Sequence, residues 1–502
     1  MKKIYLVLLL SSFLVNAAFS QEWVRMMNDK NTNFYSAQKE FNSYWKKEEK
    51  KENNWLKKLL FKKKDAQEEQ NGWEVFKRWE YFTEQRVFPK GDRIPAYQAY
   101  NEFENYKKKI HYNENNNHKM KNAGNWVPLG PFSWQTTSYN PGIGRVNTVV
   151  VDPNDSLKIY IGSPSGGFWK SVDGGITYTC TTDQLATIGV SSIAIDPNNS
   201  NIIYIGTGDC DAGDTYTIGV LKSIDGGNTW TQTGMGYQPI QGKTIHRLMF
   251  LPGSSSVLFA ATNDGIYKSL DSGNTWTLKL NTYIRDMKFK PSSPNVIYAA
   301  GNWFYKSTDG GNNWSLITNG LPSGNNLNRL AIAVTPANPN MVYVIASDGS
   351  NSGFYGLYAS TNSAGNFFTR STTPNVLGYA TDGSSTGGQG WYSLTIAVSP
   401  TDVNKIYVGG VNIWQSNDGG LAWHIITDWY YPNGIYPYVH ADQHYMGFVG
   451  STMYVGCDGG FFTSTDFGNT WNDLSKGMQI TQFYRLAGTP QNANMLMGGC
   501  SR

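Results

Sequence analysis

The chain has 502 residues, and what it has little of excludes several classes of protein at once. It carries four cysteines, Cys180, Cys210, Cys457 and Cys500. They are scattered and lack C-x-x-C spacing, so neither a zinc site nor a dense disulfide framework is indicated, and a single bridge has no readable pairing. The longest apolar stretch, Ile4–Val15, is too short to span a bilayer, which needs about 20 residues, so no transmembrane segment is expected. Glutamate vanishes entirely between Trp126 and Arg502. A net basic balance is also missing there. Residues 126–502 carry 18 Lys+Arg against 22 Asp+Glu, while residues 21–125 carry 22 against 16. The net charge of +4 therefore resides in the N-terminal part, and the rest offers no basic, aromatic groove for nucleic acid.

What is present divides the chain in three. Residues 1–20 read as a secretory signal peptide: Lys2-Lys3, an apolar run, then Ala18-Phe19-Ser20 before Gln21. This implies a secreted or cell-surface protein. Residues 21–125 read as a charged helical segment and polar linker. Trp73, Phe76 and Trp79 fall at helical spacing, as do Trp55, Leu56, Leu59 and Leu60, and Lys46–Lys64 reads as a solvated helix face.

Residues 126–502 repeat themselves. The octet Ser223-Ile-Asp225-Gly-Gly-Asn-Thr229-Trp230 has close copies at Ser171–Tyr178, Ser269–Trp276, Ser307–Trp314, Ser416–Trp423 and Ser464–Trp471. A worn copy is read at Thr361–Phe368, with Ser363 at the aspartate position. The closing aromatics are 38 to 55 residues apart, a period that marks a propeller of four-stranded blades. Before most copies stand two alternating runs, such as Ile193-Ala-Ile-Asp-Pro197 and Ile203-Tyr-Ile-Gly206, suited to half-buried antiparallel strands. The fold class is therefore all-β: seven repeats, then a partial eighth from Ile480–Arg485. An eighth blade stopped at two strands would leave an unsatisfied edge, so the sequence reads as part of a longer protein. Within each octet the aspartate accepts backbone N–H groups while glycine takes positive φ. Asp173, Asp225, Asp271, Asp309, Asp418 and Asp466 are accordingly structural turn clamps, a device repeated because every blade needs it.

This repeat resembles the Asp-box, or BNR, propellers, the superfamily of sortilin-type receptors, photosystem assembly propellers, sialidases and xyloglucan-cleaving glycoside hydrolases. Gly144-Arg-Val-Asn147, Thr207–Tyr216 and His440-Ala-Asp-Gln-His444 are similar to segments of large secreted propellers of Bacteroidota, a resemblance that implies export by the type IX route. The sialidase resemblance implies a glutamate-activated tyrosine, which a glutamate-free propeller lacks, and Arg93-Ile-Pro95 mimics the sialidase motif in the wrong segment. The xyloglucanase resemblance implies two catalytic aspartates. Pro164 stands where the first belongs, and Asp458, before Gly459-Gly460, loosely matches the second.

Among candidate sites, His440, Asp442 and His444 would share one face of an extended strand, and such a set suits a divalent metal; the bland reading is a polar channel-lining strand. Asp209, Asp211 and Asp214 crowd an oxygen-rich loop of a kind that holds Ca²⁺, although a solvated or capping loop explains it equally. Trp391, Tyr392, Trp429, Tyr430, Tyr431, Tyr436 and Tyr438, with Tyr379, lie in two long insertions and suit the apolar faces of sugars or a peptide. Arg145, with Arg247, Arg285 and Arg329 at the starts of inner strands, is placed to receive an anionic group.

The sequence thus favours a secreted propeller that binds a polysaccharide or protein ligand and requires no cofactor, a divalent ion such as Ca²⁺ aside. The alternative is a glycoside hydrolase using Asp442 and Asp458 as acid and base; a third reading is an assembly or structural propeller.

Overall fold

The computed structural model describes residues 22–29, 31–52, 73–87, 89–93, 96–115, 128–134, 140–322, 324–431 and 435–500. The signal peptide and the Trp55–Leu60 pattern lie outside the described residues. The chain divides into two compact units, residues 1–111 and 112–502.

The first unit is helical: α1 (Glu22–Asn28), α2 (Phe34–Glu52), α3 (Trp73–Val87) and α4 (Ala96–Asn115). Its small core is aromatic. Phe41 of α2 stacks on Phe76 of α3 with ring centroids 3.7 Å apart, and Trp23 of α1 meets both edge-on. Arg93 closes the C-terminus of α1, donating to the carbonyls of Met26, Met27 and Asp29 at 2.8–2.9 Å. Cations favour that end of a helix because its last carbonyls have no partner within it. Arg93 is therefore a helix cap.

The second unit contains seven four-stranded antiparallel sheets, each made of strands consecutive in sequence. Blade 1 runs from Thr148–Asp152 to Thr179–Cys180, blade 2 from Val190–Asp196 to Thr231–Gly236, and blade 3 from Ile245–Phe250 to Thr277–Leu280. Blade 4 runs from Asp286–Lys290 to Ser315–Ile317, blade 5 from Leu327–Val334 to Phe368–Ser371, blade 6 from Thr395–Val398 to His424–Ile425, and blade 7 from Gln443–Val449 to Asn472–Asp473. The first strand of each blade lies beside the first strand of the next, and that of blade 7 beside that of blade 1. The sheets thus form a closed propeller with the first strands around its channel. Among the described residues the two long strands beyond blade 7, Phe483–Thr489 and Asn492–Cys500, pair with each other and with no blade, so the ring is complete without them.

Closure uses the approach to blade 1 rather than an exchanged strand. Ile143 N–H donates to Gly459 O at 3.0 Å and Val146 N–H to Cys457 O at 2.9 Å. Ile143, Val146, Val149, Tyr454 and Phe461 share one buried cluster across the seam. A Cβ on Gly142 would stand 2.5 Å from the Gly459 Cα, so only glycine permits this approach.

The repeated octet joins the third and fourth strands. In blade 2, Asp225 Oδ1 accepts the N–H groups of Asn228 and Thr229 at 3.0 and 2.9 Å, and Oδ2 accepts the Thr229 hydroxyl at 2.7 Å. Ser223 Oγ donates to Asp225 at 2.7 Å and accepts from Gly227 N–H at 2.8 Å. Asp173, Asp271, Asp309, Asp418 and Asp466 each accept the N–H four residues on in the same way. The worn copy lies one residue earlier than the sequence reading put it, at Ser360–Phe367. Asn362 takes the carboxylate's place, accepting from Gly365 and Asn366, and Ala364 takes the glycine's at φ +61°. Phe367 is 4% exposed and Phe368 40%, so burial of the closing ring sets the register.

Candidate functional site at the channel mouth

Antiparallel order divides the loops between two faces. Octet turns and the links between first and second strands lie on one face. The links between second and third strands, and those from one blade to the next, lie on the other. That second face carries the Asp209–Tyr216 loop, the Asp458-Gly459 turn, and the long insertions before blades 6 and 7.

At its centre, residues from six blades meet in one charged network. The Asp209–Asp214 loop folds on itself because Asp209 accepts the N–H groups of Asp211 and Asp214 at 2.9 and 3.0 Å, which turns Asp211 inward. Asp211 then accepts from Asn147 at 2.7 Å, faces His444 Nδ1 at 3.2 Å, pairs with Arg285, and lies 4.0 Å from Arg329. Arg145 binds Asp209 at 2.7 Å and Asp214 at 2.9 Å, and donates to the Tyr392 hydroxyl at 3.1 Å. Tyr392 donates to Asp458 at 2.9 Å, and His444 Nε2 lies 2.9 Å from the same carboxylate. The Tyr392 ring stands edge-on to His444, 4.7 Å between centroids.

Burial alone would discharge His444, but Asp211 and Asp458 outweigh it and push its pKa up to about 9. The two carboxylates on either side of the His444 ring thus favour its charged form. Burial likewise opposes the charge of Asp211, and Arg285 and His444 overcome it, holding the carboxyl well below its usual range. Next to them, burial and then Arg285 drive His246 down to about 3, so that ring stays neutral. The network is close to balanced in charge, as buried ions must be.

The geometry redistributes the residues singled out from sequence. His440, Asp442 and His444 do not share a face. Asp442 has φ +65°, which breaks the extended geometry that the period-two reading needs, and it accepts from Ser393 Oγ at 3.1 Å. Neither a solvated loop nor a cation cage describes Asp209, Asp211 and Asp214, whose oxygens face guanidinium, amide and imidazole groups. Among the described residues no set of three His, Cys, Asp or Glu side chains could hold a metal ion. The arginines do converge: Arg145, Arg285 and Arg329 reach the network, and Arg247 pairs with Asp286 at 3.2 Å just inside the channel. Asp458 and Asp442 are only 1% and 4% exposed. Cys180, Cys210 and Cys457 are free thiols.

The aromatic insertions split. Tyr392 is buried in the network, and Tyr431 and Tyr438 pack on Trp134 with centroids 6.3 and 6.1 Å away. Trp391, Tyr430, Tyr436 and Tyr379 are exposed, and Trp429 is partly so. Asn412 pins the two insertions together, donating to Tyr379 O at 3.2 Å and accepting from Trp429 N–H at 3.0 Å. Sequence reasoning missed Asn147, Ser393 and Asn412. Asn147 lay within a quoted motif, while nothing local marked the other two.

No family model matches the chain, and no curated protein matches it. Solved structures do. The GH74 xyloglucanase from Xanthomonas campestris is 18% identical with a TM-score of 0.56, over 74% of this chain and 59% of that one. The GH74 enzyme of Niastella koreensis is 22% identical with a TM-score of 0.52, over 73% and 59%. An ancestral GH74 enzyme is 20% identical with a TM-score of 0.50, over 69% and 48%. The likeness is one of fold. The chain spans about half to three-fifths of the length of these neighbours.

Proposed function

We propose that this is an exported Asp-box propeller whose loop face binds glycan. One observation carries the reading: exposed rings of Tyr379, Trp391, Tyr430 and Tyr436 lie in two neighbouring insertions on the face of a channel mouth whose charged groups are paired with one another. Flat rings with polar tips suit the apolar faces of sugars, and insertions on a rigid scaffold are where binding function concentrates. The Lys2-Lys3 leader and its apolar run support export, and the resemblance to secreted Bacteroidota propellers supports the type IX route.

A xyloglucanase-like hydrolase is the second reading, favoured by Asp458 standing between Tyr392 and His444 at hydrogen-bond distance. Cleavage needs two carboxyl groups open to the sugar, and the burial of Asp442 and Asp458 argues against it.

The test is incubation of the full chain with a polysaccharide panel, scored for retention and for new reducing ends. Retention without cleavage, reduced tenfold or more in the Trp391→Ala/Tyr430→Ala double variant, is the expected result. Oligosaccharide release that disappears in Asp458→Asn would establish the hydrolase instead. If neither signal appears, the glycan reading fails and a protein partner replaces it.

A further inference from the structure

Below the mouth, the channel holds a second feature, which shares Arg329 and His444 with the paired network and adds Arg247, Asp286 and Lys288. A narrow pocket there is lined by Arg247 of blade 3, Asp286 and Lys288 of blade 4, Arg329 of blade 5 and His444 of blade 7. Apolar side chains from blade 6, Leu394 and Ile396, complete the wall. About 30 Å³ is open to the centre of a water molecule. That is room for a water or two, or one monatomic ion, and too little for a sugar ring.

Cations outnumber anions in this lining. Asp286 is the one carboxylate among the lining residues, and it serves two of the cations through a single oxygen: Arg247 at 3.2 Å and Lys288 at 3.3 Å. Its other oxygen accepts the N–H of Ile332 at 3.0 Å. Arg329 reaches a carboxylate only at 4.0 Å, and that group, Asp211, is already engaged by Arg285, His444 and Asn147. The guanidinium instead donates to the carbonyl of Tyr392 at 3.1 Å.

Two of the lining guanidiniums also have donors left over. The buried Nε–H groups of Arg247 and Arg329 meet no acceptor among the described residues. A buried donor without an acceptor costs about 1–3 kcal/mol, and more when charged. The cations also press on one another. Burial and then Arg285 bring Arg329 down to about 10, and burial lowers Lys288.

We propose that this pocket, between Arg247, Lys288 and Arg329, is a halide-binding site. A monatomic anion satisfies the three requirements together: it accepts from several N–H donors without directional demands, it offsets the surplus positive charge, and it fits the volume. A cation would meet a positive wall. The ion ties together the first strands of blades 3, 4 and 5, so its binding stabilises the ring by mass action.

The experiment uses the full chain at constant ionic strength, with sodium gluconate exchanged stepwise for sodium bromide. A saturable rise in Tm is expected, together with an anomalous bromide peak in contact with Arg247, Lys288 and Arg329 in crystals grown from bromide. Lys288→Met leaves the Arg247–Asp286 pair in place and should raise the half-saturating bromide concentration tenfold or more, as should Arg247→Gln. If Tm is the same in gluconate and bromide, or the pocket shows water and no anomalous signal, the proposal is overturned. A bromide response that survives unchanged in Lys288→Met would also overturn it, because the ion would then bind elsewhere.

Discussion

The two faces of the propeller are built on opposite principles. On the octet face, each turn is completed by residues within a few positions of one another. Asp225, Ser223, Gly227 and Thr229 complete their hydrogen bonds within one turn, and the pattern recurs around the ring. On the loop face, Arg145 is bound by Asp209, Asp214 and Tyr392, residues 64 to 247 positions away in sequence. The first face tolerates the loss of a single copy, as the Asn362 and Ala364 turn of blade 5 demonstrates. The second has no spare parts.

Removing the hub of the loop face should therefore have the largest effect. Asp211→Ala leaves Arg285 and His444 buried beside an empty position, and breaking a buried ion pair from one side costs roughly 3–5 kcal/mol. The midpoint of urea denaturation should fall accordingly. A fall worth less than about 1 kcal/mol would mean that the network behaves like surface pairs and that the contrast between the faces is false.

The next effect is one of pH. The folded pKa of His444 is raised to about 9 from an ordinary 6.5. Its contribution is therefore complete below pH 6.5 and is lost as pH rises through 9. On the order of 3 kcal/mol should disappear across that window. Stability measured from pH 6 to 10 should decline in the parent, and the decline should be largely absent in His444→Gln. An equally steep decline in the variant would assign the titration to another group.

On the octet face, Gly227→Ala tests local strain. Gly227 has φ +79°, and a Cβ there would lie 2.7 Å from a Phe168 ring carbon. A cost of about 1–2 kcal/mol is expected from the left-handed backbone alone, read from the same denaturation curves.

The smallest effect belongs to a single clamp. Asp225→Asn should lower the midpoint far less than Asp211→Ala, since Asn362 already does this work in blade 5. The clamps do act together in acid. Hydrogen bonds from Thr177, Thr275 and Asn313 hold Asp173, Asp271 and Asp309 at about 2, below an ordinary 3.8. Their contribution is present above 3.8 and fades as pH falls toward 2. A protein that loses no stability between pH 4 and pH 2 would contradict this account of the turns.

The same contrast governs how much could be read in advance. The repeat and its period gave seven copies of the octet and left a partial eighth blade open, and the alternating runs gave the first strands of most blades. The worn copy was misplaced by one residue because spacing alone does not say which of Phe367 and Phe368 is buried. His440, Asp442 and His444 were grouped by proximity in sequence and separated by one left-handed residue, Asp442. Asp211 was visible only as one carboxylate among three, and nothing near it in sequence names Arg285, His444 or Asn147.

By itself the sequence determined the repeating unit, the turn chemistry and the lack of glutamate in the propeller, because each depends on residues within a few positions of one another. Only the tertiary structure decided that the ring closes at seven blades, that Arg145, Arg285 and Arg329 meet the Asp209–Asp214 loop, and that Tyr392, Tyr431 and Tyr438 of the insertions are packing. Closing the ring sets the first strands of blades remote in sequence around one channel. The charge each residue meets there depends on how many blades the ring contains.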